Sequence, residues 1–125
     1  MKIYKSGYEL GEVLPNIAVM LRQNAELFAD KMLIQEKVNG SYRSITWKQF
    51  YEDVVNIAFN LRRFGFLEGD KLVIFSKNRI EMLELELALM ASGGVAVPIF
   101  FYFYSGIAET LITRSDSVFI AARHA

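Results

Sequence analysis

The sequence has no cysteine. Disulfides, thiolate metal sites and cysteine nucleophiles are therefore excluded. It has a single histidine, His124, next to the last residue. Ser115 and Asp116 precede it, but a Ser-His-Asp triad needs its nucleophile on a strained turn, and no G-x-S-x-G occurs. Net charge is also absent, with 14 basic residues against 14 acidic ones. A balanced chain offers no basic stripe for a phosphate backbone, so nucleic acid is not expected as a partner. Neither G-x-x-x-x-G-K-[ST] nor G-x-G-x-x-G is present, so no phosphate-cradling loop is read from motif. The N-terminal "MKIYKSGYELGEVLP" has no sustained apolar run, which argues against a secretory signal.

Charge is missing locally as well. From Leu87 to Ala108 there are 22 residues without a charged side chain. That length would suffice for a membrane span. Ser92-Gly93-Gly94 and Pro98 interrupt it, and "VAVPIF" is short and β-branched, as in a buried strand. The expectation is helix end, strand and aromatic loop, with a membrane span as the lesser alternative.

What is present reads as alternating elements. Asn16 caps a helix from Ile17 to about Ala29, with Ile17, Met20, Leu21 and Phe28 on one stripe. "KMLIQEKV" and "SYRSI" read as strands. Asn39-Gly40 between them suits a two-residue hairpin turn, because both residues tolerate positive φ. Thr46 caps a second helix, about Trp47 to Phe64, whose apolar stripe is Trp47, Phe50, Val54, Ile57, Ala58 and Leu61. Arg62 and Arg63 suit its negative C-terminal end, and Gly65 is placed to turn left-handed beyond it. "KLVIFS" is a strand buried on both faces. Asn78 is read as the cap of a helix from Arg79 to about Ala91, which carries two apolar stripes: Ile80, Leu83, Leu87 and Ala91, then Met82, Leu85 and Leu89. Such a helix packs on a sheet and on something else. Strand, helix and "VAVPI" make a parallel βαβ unit with a right-handed crossover. Ser105 is read as the cap of a last short helix, about Gly106 to Thr113, and "SVFIA" as a final strand. The fold class is α/β: a β-hairpin plus a βαβ unit of a mostly parallel sheet with flanking helices.

Candidate chemistry is sparse. Gly93-Gly94 ends a helix before a strand, the wrong order for a loop opening a helix under phosphate. Asp70 in a Gly-Asp pair before a strand is turn chemistry. Glu81, Glu84 and Glu86 could suggest a metal cluster, but only Glu81 and Glu84 share a helical face, and a solvated acidic edge is expected. "FFYFY", Phe100 to Tyr104, is expected to pack in a core or interface, with a lipid-facing pocket second. No catalytic, cofactor-binding or metal residue is assigned.

The ordered set of signals resembles a known family. "SITWKQFYEDVVNIAFNLRRFGFLEGDKLVIFSKNRIEMLELELALMASGGVAVPIF" is similar to the N-terminal region of AMP-forming acyl-CoA synthetases, members of the adenylate-forming enzymes. The resemblance rests on Thr46-Trp47 opening a helix, Gly65 ending it, the Gly69-Asp70 turn, Asn78 after the next strand, and Gly94, Val97 and Pro98 at the following one. It covers about Asn16 to Ile120 and leans towards long-chain fatty-acid synthetases. "FFYFYSG" departs from the Pro-containing hydroxyl stretch usual there. The resemblance implies ATP, Mg²⁺ and CoA for the full-length protein, and two steps: a carboxylate and ATP give an acyl-adenylate and pyrophosphate, then the CoA thiol displaces AMP. The family's Ser/Thr/Gly-rich loop ending in Pro-Lys does not occur in this sequence, so residues 1–125 are expected to be a truncated, catalytically silent part of the N-terminal domain. Expected with it are the remainder of the synthetase as partner, self-association through apolar surface exposed on the second stripe of the Arg79–Ala91 helix and on "FFYFY", and a cytoplasmic location with peripheral membrane contact as an open alternative.

Overall fold

The computed structural model describes residues 2–9 and 11–122. The elements are α1 (Ile17–Leu27), β1 (Met32–Val38), β2 (Ser41–Thr46), α2 (Trp47–Arg63), β3 (Lys71–Ser76), α3 (Ile80–Ala91), β4 (Val95–Phe100), α4 (Ser105–Arg114) and β5 (Phe119–Ala122). β1 and β2 form an antiparallel hairpin, and β4-β3-β5 form a separate parallel sheet.

Local chemistry sets most boundaries. The Asn16 carboxamide accepts from the Val19 amide and starts α1. Asn39 and Gly40 have φ of 50° and 84°, the paired positive angles of a hairpin turn that matches strand twist. Thr46 starts α2 through a reciprocal bond pair with Gln49. At the other end of α2, the Gly65 amide donates to the Arg62 carbonyl and the Phe66 amide to the Leu61 carbonyl. These two bonds satisfy terminal carbonyls and turn the chain, with Gly65 at φ +90°. Asp70 acts as turn chemistry: its carboxylate accepts from the Leu67 amide at 2.8 Å.

Two starts differ from expectation. Asn78 is not the cap of α3; Arg79 occupies that position in extended conformation, with no side-chain cap bond. Ile80 is 1% exposed. Its burial fixes where the helix enters, and that leaves Asn78 one residue outside capping reach. Ser105 is the first residue of α4 and not its cap; the Tyr104 carbonyl accepts from the Ile107 and Ala108 amides. The uncharged stretch from Leu87 to Ala108 is divided among α3, β4, a turn and α4. Among the described residues, no helix is long and apolar enough to cross a membrane.

The core has two parts, and α3 lies between them. One cluster joins Leu21, Phe50, Val54 and Ala88, with Leu33, Ile34, Ile45, Trp47 and Leu87 packed around it. The other joins Phe66, Leu72, Ile74 and Leu89, with Met82, Leu85, Ala96 and Phe119 around it. Helix α3 thus gives Leu87 and Ala88 to the helical and hairpin layer, and Met82, Leu85 and Leu89 to the sheet. The stripe of Met82, Leu85 and Leu89 is used as read; of the other, Ile80 is buried and Leu87 joins the helical cluster, while Leu83 and Ala91 are exposed. The consequence corrects one expectation: the stripe of Met82, Leu85 and Leu89 packs against the sheet, with Leu89 buried and Met82 and Leu85 half-buried, and is not the free apolar face expected for self-association.

β3 is the central strand, and Leu72, Val73 and Ile74 are all buried. A parallel strand covered on both faces reads as a continuous apolar run. At its N-terminal end, the Asp70 carbonyl accepts from Val95 and the Gly93 carbonyl accepts from Gly69. These bonds bring Gly94 against Phe66, where an added Cβ would lie 2.4 Å from the ring.

Two substitutions test this arrangement. Leu89→Ala should lower unfolding free energy by about 2–5 kcal/mol, the range for emptying a filled leucine site, whereas half-exposed Leu111→Ala should cost under about 1 kcal/mol. Gly94→Ala should cost on the order of 1–3 kcal/mol, because Phe66 is itself buried and has to move. Urea denaturation followed by circular dichroism reads all three.

Candidate functional site

The sheet topology singles out one location. β4 lies on one side of β3 and β5 on the other, so the chain reverses direction after β4. Crossovers of the same hand then place α3 and α4 on opposite faces. In open parallel sheets, ligands occupy the crevice outside the carboxyl ends of the strands where this reversal occurs. Here Ser76 and Phe100 stand in register at those ends. Lys77 and the aromatic turn follow them.

The turn is a surface feature. Phe100, Tyr102 and Tyr104 are 74%, 82% and 83% exposed. Of the expected core or interface packing for Phe100 to Tyr104, the core half is corrected: only Phe101 is tucked in, 5.5 Å from the Phe75 ring. The Lys77 ammonium lies 5.1 Å from the Phe101 centroid, a cation–π distance. The Ser76 hydroxyl donates to the Lys77 carbonyl, a local bond with no base beside it. This arrangement can present a cation and aromatic faces to a partner, but it contains no nucleophile and base in hydrogen-bond reach. A groove of about 350 Å³ opens at the same end of the sheet, between α3 and the ends of β3 and β5, lined by Ile74, Ser76, Arg79, Met82, Leu85 and Ala121.

A second cluster is ionic. Glu81, in the first turn of α3, accepts from Arg79 at 2.6 Å and from Arg43 of β2 at 2.8 Å. The Arg79 bond, chiefly, holds the Glu81 carboxyl down to about 2, with Arg43 adding to it. The same bonds raise both guanidinium groups. Glu84, one turn on, is not part of a solvated edge as expected; it is 5% exposed. Burial pushes its carboxyl up to about 7, reinforced by the neighbouring charges of Asp53 and Glu81. The sequence carried a signal for this. Glu84 stands four residues after Ile80 and four before Ala88, and both are fully buried.

The other sequence candidates separate. The Ser115 hydroxyl donates to the Ile112 carbonyl and accepts from the Ser117 amide. Asp116 faces Lys71 at 3.8 Å. His124 lies outside the described residues, so the triad has no geometry to test. Glu86 adds nothing to Glu81 and Glu84, and among the described residues no group of three or more His, Cys, Asp or Glu side chains could hold a metal ion. The described residues do not fit ATP, Mg²⁺ or CoA: among them there is no carboxylate cluster for the cation and no glycine-dense loop opening a helix for the phosphates.

Comparisons with known proteins identify the frame. Residues 21–124 match the family described as AMP-binding enzyme. The chain is 40% identical over 102 residues to 4-hydroxybutyrate–CoA ligase 2 of Metallosphaera sedula, covering 82% of this chain and 18% of that protein. It is 31% identical over 85 residues to long-chain-fatty-acid–CoA ligase FadD15 of Mycobacterium bovis, covering 68% of this chain and 14% of that one. A 2-succinylbenzoate–CoA ligase of Bacillus cereus is 34% identical over 86 residues, covering 69% and 16%. The chain thus spans 14–18% of the length of these curated relatives. Its fold matches the N-terminal subdomain of Klebsiella oxytoca NpsA with a TM-score of 0.76 at 21% identity, covering 87% of this chain and 28% of that one. It matches a fatty acid AMP ligase of Legionella pneumophila with a TM-score of 0.76 at 20% identity, covering 82% and 18%. On the match over residues 21–124, the chain belongs to the AMP-binding enzyme family.

Proposed function

We propose that residues 1–125 are the opening part of the N-terminal domain of an ATP-dependent, AMP-forming acyl-CoA synthetase, and that their role is structural. The observation that carries this reading is the family match over residues 21–124, in a chain that spans 14–18% of the length of its curated relatives. In the full synthetase, a carboxylate and ATP give an acyl-adenylate and pyrophosphate, and a CoA thiol then displaces AMP. ATP, Mg²⁺ and CoA would be held by the remainder of the enzyme, which is this segment's principal partner. The segment supplies the buried strand β3, its two neighbours and the α3 layer that fixes them to the hairpin. The acid is proposed to be a fatty acid. Support comes from the long-chain ligases among the relatives, beside which stand ligases named for 4-hydroxybutyrate and 2-succinylbenzoate. Its location is proposed to be cytoplasmic.

A second reading has its own observation. The exposed Phe100, Tyr102 and Tyr104 form an apolar projection of the kind that drives association. As a stand-alone module, the chain would use it to contact itself, another protein or a membrane surface.

Carboxylate-dependent ATP–pyrophosphate exchange separates the readings from independent catalysis. The isolated chain should give none with fatty acids of any length, and robust exchange would contradict the scaffold role. Sedimentation velocity addresses the aromatic turn. A dimer or larger species that becomes monomeric on Phe100→Ser/Tyr102→Ser substitution is expected; a monodisperse wild-type monomer that binds no apolar dye contradicts self-association.

A further inference from the structure

The tip of the hairpin carries a reactive pair for which the scaffold role has no use. Asparagine stands at positions 16, 24, 39, 56, 60 and 78, and only Asn39 is followed by glycine. The others are engaged or crowded. Asn16 caps α1, and the Asn60 side chain donates to the Asn56 carbonyl. Asn24 and Asn56 lie inside helices, where the next amide is committed to a helical bond. Asn78 precedes the bulky Arg79. Asn39 and Gly40 are both exposed, and the ladder stops short of them at the Val38–Ser41 pair. Among the described residues, no backbone bond of the turns uses the Gly40 amide. Nothing lies within 4 Å of the place a Gly40 Cβ would take. The Asn39–Gly40 peptide is therefore free on its outer side, and the nearest structure its rotation disturbs is the closing pair of the ladder.

We propose that Asn39 is a self-modification site, converted to aspartate and isoaspartate through a cyclic succinimide formed with Gly40. The Gly40 amide nitrogen attacks the carbonyl carbon of the Asn39 side chain. A C–N bond forms, the bond to the side-chain nitrogen breaks, and ammonia leaves with the Gly40 amide proton. Water then opens the ring at either carbonyl. One opening leaves aspartate at position 39, and the other routes the main chain through the former side chain as isoaspartate. Water is the sole co-reactant, and nothing is oxidised or reduced. Glycine suits the attacking position because it has no Cβ to obstruct the approach and accepts the backbone angles the ring requires.

The products change the hairpin in two ways. Either one adds a negative charge to a chain whose formal net charge is zero. Isoaspartate also lengthens the main chain by one atom between Val38 and Ser41. A two-residue turn built on φ of 50° and 84° cannot absorb that atom and keep its strands in register. The hairpin then opens from the tip. Opening stops short of Leu33, Ile34 and Ile45, which pack against the helical cluster at the other end of the strands. The modified chain keeps its core and loses the end of its hairpin.

Incubation of the whole chain in heavy-oxygen water at mildly alkaline pH, folded and in parallel unfolded in urea, tests the proposal by peptide mass spectrometry. In the folded chain, position 39 should lose its side-chain nitrogen and gain one heavy oxygen. Its rate should fall within about tenfold of the unfolded chain, because opening a loop tip costs little free energy. The other asparagines of the folded chain should keep their amides. Asn39→Gln should abolish the conversion, and Gly40→Ala should remove most of it. Amide hydrogen exchange on the converted chain should show protection lost at Val38 and Ser41 and kept at Ile34 and Ile45. Conversion confined to the unfolded chain overturns the proposal. So does conversion of the other asparagines as fast as Asn39, or a Gly40→Ala chain that converts at the wild-type rate. Should Gly40→Ala fail to fold, the folded and unfolded wild-type rates still decide.

Discussion

Everything in this chain depends on one helix being apolar on two faces. A helix on a protein surface buries one stripe and solvates the rest. Helix α3 instead gives Leu87 and Ala88 to the cluster built by α1, α2 and the hairpin, and Leu89, Met82 and Leu85 to the cluster under the parallel sheet. Without it, the hairpin layer and the sheet, whose strands belong to separate sheets, would share only Leu61 of α2, which packs against both clusters. Burying apolar area on both sides is also what makes the exceptions on α3 informative. A carboxylate on this helix has few solvated positions, and Glu84 does not occupy one.

The second constraint is at the N-terminal edge of the sheet. The Schellman-type end of α2 delivers Phe66 into the sheet cluster, and Gly94 lies flat against its ring. Helix end, glycine and strand start are thus one packed unit: Phe66 fills the space that a side chain at position 94 would need. At the opposite edge, packing ends abruptly. The strands stop, Lys77 rests on Phe101, and the aromatic residues beyond point to solvent. The stable edge of this sheet and the edge that can meet a partner are its two ends.

Legibility in the sequence followed the range of the interactions. Features closed within a few residues were readable: the Asn16 and Thr46 caps, the Asn39-Gly40 turn, the Gly65 helix end and the Asp70 turn. So were the periodicities of α2 and α3 and the buried run of β3. Errors arose where a long-range contact decided. Asn78 is a good cap by composition, but burial of Ile80 sets the helix start one residue later than that cap requires. Glu84 looks solvated as one of three glutamates in a row of six residues, yet its four-residue spacing from Ile80 and Ala88 puts it in the helix interface. The aromatic turn looks like core by composition, and its exposure depends on a chain reversal that no local pattern encodes. The family was legible because it is carried by the ordered set of short-range signals.

The claim at the centre of this account is that α3 makes one cooperative unit from two clusters. Trp47, the sole tryptophan, packs in the hairpin and helical cluster, while Leu72 lies in the sheet cluster. Urea unfolding followed at once by Trp47 fluorescence and by the Leu72 methyl resonances tests it directly. The account predicts coincident transitions with a common midpoint and slope. Separate midpoints, with one cluster melting while the other keeps its signals, would contradict it.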